Sequence, residues 1–141
     1  MALHTINPTQ TKAWEKLQNH FAALQSVTMQ ELFLKDANRA EQFNIIWNDF
    51  LLDYSKNNID KETIQLLVEL ANECGLQSAI SDYFEGALIN QTENRAVLHT
   101  ALRAKADAVI NVEGVKVIPE VYEVKAKIKT FTNEVVSGIR K

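Results

Sequence analysis

Cysteine occurs once, at Cys74, in a chain of 141 residues. A lone thiol excludes an internal disulfide and a thiolate metal cage within one chain. The four glycines are scattered and isolated, so there is no glycine-rich phosphate loop. His4, His20 and His99 lie far apart and give no pair at helical ligand spacing, which leaves a metal site unsupported. A basic excess is also missing: 15 Lys and Arg stand against 18 Asp and Glu, for a net charge of −3. That balance argues against a broad nucleic-acid surface. No apolar run reaches the length needed to cross a bilayer. The start, Met1-Ala2-Leu3-His4-Thr5-Ile6-Asn7-Pro8, has neither the basic region nor the apolar stretch of a signal peptide. These absences lead to the expectation of a soluble cytoplasmic protein with no membrane or nucleic-acid partner.

What is present is globular. Hydrophobic residues make up 46% of the chain, enough for one domain with a real core. Asn7-Pro8 reads as the opening of a first helix, with Gln10 placed to complete a capping box, and Trp14, Leu17, Phe21 and Leu24 form its apolar stripe. Thr28 and Glu31 offer a second capping box, before a short helix through Leu32, Phe33 and Leu34. The period then changes. Phe43, Ile45 and Trp47 alternate, as do Phe50, Leu52 and Tyr54, on either side of Asn48-Asp49. This pattern predicts a β-hairpin. Asp60 caps the next helix, with Ile59 and Ile64 at staple spacing, Ile64, Leu67, Val68 and Ala71 as its buried stripe and Gly75 as its stop. A short helix follows from Leu76 to Phe84, ending near Gly86. Another is predicted from about Thr92, with Val97, Leu98, Ala101 and Leu102 on its apolar face. Val109–Val112 and Val115–Ile118 flank Glu113-Gly114 as a second hairpin. Pro119 opens a last helix with Val121, Val124, Ile128, Phe131 and Val135 inward, closed by Gly138. The expected fold class is α+β, mostly helical with two short β-hairpins.

The residues offer few chemical candidates. On the predicted helix, Arg95, His99 and Arg103 recur at steps of four and would share one edge. Such a row can bind a phosphate or a carboxylate through the guanidinium forks. The favoured reading is a polar face, or a set of hydrogen bonds holding the helix to a neighbouring part of the protein, since most charge rows are surface features. Cys74, with no fixed cationic neighbour in sequence, reads as a small buried hydrophobe rather than a reactive thiol. Asp49 and Asp53 sit in or beside a turn, whose chemistry explains Asp49 without acid–base work. Trp14 and Trp47 read as core residues, and Lys125, Lys127 and Lys129 as a solvated face.

Several motifs in order carry a family resemblance. Thr92-Glu93-Asn94-Arg95-Ala96-Val97-Leu98-His99-Thr100-Ala101-Leu102-Arg103 resembles a hallmark stretch of the glucose-6-phosphate isomerases. Asp53-Tyr54-Ser55-Lys56-Asn57 resembles the family's motif at the exit of an early hairpin, and Phe84-Glu85-Gly86-Ala87-Leu88-Ile89-Asn90 the approach to the hallmark stretch. Val112-Glu113-Gly114, Ile118-Pro119-Glu120-Val121 and Val136-Ser137-Gly138 continue the likeness, which is weakest over roughly the first forty residues. The resemblance implies residues 1–141 as the N-terminal helical segment of a larger α/β sugar-isomerase enzyme. It implies interconversion of glucose 6-phosphate and fructose 6-phosphate through an enediol(ate), a homodimer, and no metal or organic cofactor. It also implies that the family's phosphate-binding Gly-Ser loop and its catalytic Glu, His and Lys lie beyond the position matching Lys141. No catalytic residue is then carried here, and the segment alone is expected to be inactive, with the remainder of the isomerase chain as its partner. Two other readings stay beside it: a stand-alone interaction module derived from this region, and a small phosphosugar-binding protein using Arg95, His99 and Arg103.

Overall fold

In the computed structural model, residues 6–140 are described. His4 falls outside them. The chain divides into two compact units, one of Ile6–Cys74 and the other from Gly75 onward.

The first unit begins with a 3-10 turn, Pro8–Gln10, capped by the Asn7 side chain, and α1 follows at Lys12–Leu24. The expected first helix is therefore split. Thr11 adopts an extended conformation, and its hydroxyl accepts from the Trp14 N–H to cap α1. Gln10 takes part through its backbone N–H, which donates to the Asn7 carbonyl, and not through a capping-box side chain. The Thr28–Glu31 capping box is present at the start of α2, Met29–Lys35. A four-residue helix, α3 (Arg39–Gln42), comes next and was not expected. β1 (Asn44–Trp47) and β2 (Phe50–Asp53) pair antiparallel as the predicted hairpin, Trp47 facing Phe50 across Asn48-Asp49. Asp60 caps α4, Lys61–Glu73, in a reciprocal box with Thr63.

Helices α1 and α4 pack together. Ala13, Lys16 and His20 meet Glu73, Glu69 and Asp60 in turn, so the two run antiparallel. Their contact face corrects the predicted stripes. Leu66 is the buried residue of α4, whereas Leu67 and Val68 are exposed. Ala13 is the buried residue of α1, whereas Phe21 is exposed. The small Ala13 allows close approach, and its polar neighbours select the α4 face that carries Thr63, Glu69 and Glu73. Periodicity finds an apolar stripe on each helix but does not say which face its partner covers.

In the second unit, α5 (Leu76–Glu85) ends at Gly86, as expected. The helix predicted from Thr92 does not form. Asn90 and Arg95 exchange both backbone hydrogen bonds, Asn94 takes φ +50°, and the next regular piece is a 3-10 turn at Ala101–Arg103. The Asn90 side chain competes for the local donors: its Oδ1 accepts from the Thr92 hydroxyl and the Glu93 N–H. β3 (Asn111–Val112) and β4 (Val115–Lys116) form the second hairpin, with Glu113 and Gly114 both at positive φ, as a type I′ turn requires. It is shorter than predicted because Ile118 already begins α6, Ile118–Val136, with Pro119 in its first turn. Ala101, Ile110 and Ile118 are the buried core of this unit, with Leu98, Ala104 and Val117 packed on them. Tyr122 donates its hydroxyl to the Ala104 carbonyl and pins the first turns of α6. Beyond that, the predicted inner face of α6 is corrected: Val124, Ile128, Phe131 and Val135 are all exposed.

Candidate functional site

Ionisable side chains gather in three polar clusters, the first two partly or fully buried and the third exposed. The first centres on Arg39, which is only 2% exposed. Its Nε donates to the Ser55 carbonyl at 2.7 Å, and its Nη2 donates to the carbonyls of Asn57 and Ile59, each at 2.8 Å. The guanidinium lies 4.4 Å from the Phe43 ring centre and 5.7 Å from that of Phe33. Among the described residues no carboxylate pairs with it. Its charge is held by carbonyl dipoles and aromatic faces, an arrangement the planar guanidinium suits and an ammonium does not. Arg39 thereby ties α3 to the Ser55–Ile59 loop, and Asp53 finishes that loop's start by accepting the Ser55 N–H at 2.8 Å.

The second cluster joins α1 to the start of α4. His20 Nε2 lies 3.1 Å from Asp60 Oδ1 and 2.8 Å from Thr63 Oγ1, and Nδ1 lies 3.8 Å from Glu62. Asp60 and Thr63 approach the same ring nitrogen, so this is not a relay in which one partner orients the ring for the other. It is a helix cap with a histidine laid over it, beside an open apolar cleft lined by Trp14, Leu17, Phe21 and Leu24.

The third cluster contains the predicted row. Arg95 and His99 both line a shallow cleft with Val97, Leu98 and Val112. All three residues of the row are exposed. Arg95 pairs with Glu93, and Arg103 donates to the His99 carbonyl at 3.4 Å. The shared helical edge that suggested a three-residue anion site is absent, because the backbone turns at 90–95.

Asp49 sits in the first hairpin's turn. Trp14 is half-buried, but Trp47 is exposed, which corrects the core reading of that residue. Cys74 caps the end of α4 and is half-buried. Among the described residues, no group of three or more His, Cys, Asp or Glu is placed to hold a metal ion, and no helix is long and apolar enough to cross a membrane. Arg39 and His20 were missed in the sequence. His20 left a trace, a polar residue interrupting the stripe between Leu17 and Phe21. Arg39 left none, since its partners are backbone carbonyls with no side-chain signature.

Three carboxylates are held below their ordinary range. Glu31 (ordinarily 4.5) is lowered by the Thr28 backbone N–H and hydroxyl, and Asp53 (ordinarily 3.8) by the Ser55 hydroxyl and N–H. Burial alone would raise Asp60, but the Thr63 N–H and hydroxyl and the facing His20 outweigh it and lower its pKa. A folded-state pKa below the unfolded one contributes stability above the unfolded value, and this is lost as pH falls through the folded one. The urea midpoint is therefore expected to hold steady at mildly acidic pH and to fall below about pH 4. Asp60→Asn, which cannot titrate, is expected to flatten part of that fall. An acid limb identical in this variant would remove Asp60 from the account.

Similarity to known proteins covers most of the chain. The family model for phosphoglucose isomerase matches residues 53–141, beginning at the Asp53 that shapes the loop held by Arg39. A glucose-6-phosphate isomerase of Christiangramia forsetii is 52% identical over 139 residues, covering 99% of this chain and 26% of that relative. The chain thus spans about a quarter of the length of the relative it matches.

Proposed function

This chain belongs to the phosphoglucose isomerase family, and from that premise we propose that it is the N-terminal segment of an enzyme interconverting glucose 6-phosphate and fructose 6-phosphate. The observation that carries the reading is the 52% identity over nearly the whole chain to a relative named for that activity. Aldose–ketose interconversion moves a proton between neighbouring carbons and needs a positioned acid–base group. The firmly held groups of this segment have other tasks. Arg39 serves three carbonyls, Glu31 and Asp60 serve helix caps, and Asp53 serves a turn. We therefore assign the segment a scaffold role, with the base and the phosphate-holding groups elsewhere in the longer polypeptide.

Arg95, His99 and Arg103 then order the loop at 90–103 rather than bind sugar phosphate. The remainder of the polypeptide is the segment's partner, a homodimer is the assembly, and the cytoplasm is the compartment, in keeping with the single cysteine.

The test is kinetic. The purified longer polypeptide is expected to convert fructose 6-phosphate into glucose 6-phosphate, and a pure, folded sample without that conversion would overturn the assignment. For the loop, titrating glucose 6-phosphate into the 141-residue chain is expected to leave the His99 ring and Arg95 guanidinium NMR signals in place. A saturable shift of both would return phosphate binding to that row.

A further inference from the structure

The first hairpin carries a pattern that its own unit does not explain. Directly paired residues of an antiparallel ladder share a face. Ile45, Leu52, Trp47 and Phe50 therefore lie on one face of the ribbon, and Ile46 and Leu51 on the other. All six are between 54% and 73% exposed. A ribbon covered on one side has alternating apolar and polar residues, whereas a strand covered on both sides reads as an unbroken apolar run. Ile45-Ile46-Trp47 and Phe50-Leu51-Leu52 are such runs. An isolated two-stranded hairpin is marginal in water, and apolar patches of this kind mark contact surfaces.

The root of the ribbon, in contrast, is fixed. Phe43 is buried, meets Tyr54 edge-on at 5.8 Å between ring centres, and lies under the Arg39 guanidinium. A rigid root with a tip that is apolar on both faces is a finger built to enter something.

We infer that the β1–β2 ribbon is an insertion finger seated, with both faces covered, in the body of the longer polypeptide to which this segment belongs. The inference rests on the isomerase-segment reading for the existence of that body. The length supports this occupant: the matched relative has about three quarters of its chain outside the aligned part, since the segment covers 26% of it. The two faces argue against a second copy as the occupant. An isologous contact apposes one patch to its own equivalent, so it would cover one face of the ribbon and leave the other bare.

Hydroxyl-radical footprinting of the intact longer polypeptide tests this, with a peptide of residues 43–54 as the unprotected reference. Trp47 and Phe50 report one face, and Ile46 and Leu51 the other. Both pairs are expected to be oxidised roughly tenfold more slowly than in the peptide, at every protein concentration, as for groups freed only by opening of the fold. Either face reacting like the peptide would overturn the inference. Protection lost on dilution would assign the ribbon to a second copy and overturn it as well. Isomerisation is assayed on the same sample, so the two readings fail separately. A reactive face in an active enzyme sinks the finger alone, while protected faces in an inactive protein support the finger and sink the isomerase assignment.

Discussion

Arg39→Met is expected to destabilise the Ile6–Cys74 unit by about 3–5 kcal/mol, since three carbonyls lose a charged donor at once and each such loss is worth about 1–3 kcal/mol before relaxation. Methionine keeps the apolar stem and so isolates the loss of the guanidinium. The Ser55 carbonyl is the most exposed to this change, because Ser55 itself is buried and water cannot replace the donor without opening the loop. The Asn57 and Ile59 carbonyls lie nearer the surface and recover part of their loss through solvent. Arg39→Lys tests the geometry apart from the charge. A single ammonium cannot reproduce the fork that reaches Ser55, Asn57 and Ile59 together, so lysine is expected to restore less than half of the loss. A urea midpoint shift, with faster amide exchange confined at first to the Ser55–Ile59 loop and the start of α4, is the expected signature. A shift under about 0.5 kcal/mol, the size of an ordinary surface substitution, would show that the carbonyl cage is dispensable.

Gly86→Ala is the second large effect. Gly86 ends α5 at φ +85°, where a side chain costs about 1–2 kcal/mol in backbone strain alone. Space is short too: a Cβ there would sit 2.8 Å from the Asn111 carbonyl oxygen, 3.1 Å from an Ile110 methyl and 3.2 Å from a Val112 methyl. The carbonyl is backbone of the second hairpin and has no rotamer by which to yield. The combined loss is expected at about 2–4 kcal/mol. Gly114→Ala separates the two causes. Gly114 has nearly the same φ, +84°, but a Cβ there would meet nothing within 4 Å. It should lose only the strain, so the difference between the two midpoints measures the crowding. Equal losses at both positions would show that the approach of α5's end to the hairpin carries no weight.

Much of the fold was legible where the signal is local. The Thr28–Glu31 box, the Asp60 cap, the Asn48-Asp49 and Glu113-Gly114 turns and the stop at Gly86 all depend on residues within a few positions of one another. The failures are of two kinds. At Thr92–Arg103, helical spacing of apolar residues was overruled by Asn90, whose side chain takes the local donors, and by Asn94, which tolerates positive φ. On α4, α6 and the first hairpin, apolar residues were identified but their partners were not. A stripe such as Val124, Ile128, Phe131 and Val135 is a statement about what must be covered. What covers it is a tertiary fact, and among the described residues nothing does. Reading every second residue of the first hairpin also passed over Ile46 and Leu51, which make the ribbon apolar on both sides. Arg39 was illegible for a different reason, since its acceptors are main-chain oxygens that any sequence supplies.

Under the proposed function, this segment supplies architecture to an isomerase whose reacting groups lie elsewhere. The most direct test is the conversion of fructose 6-phosphate by the purified 141-residue chain, made in a host lacking its own glucose-6-phosphate isomerase. The account predicts no glucose 6-phosphate above the host blank. Conversion that scales with the amount of this chain, and survives in material purified to constant specific activity, would contradict it and place the base within these residues.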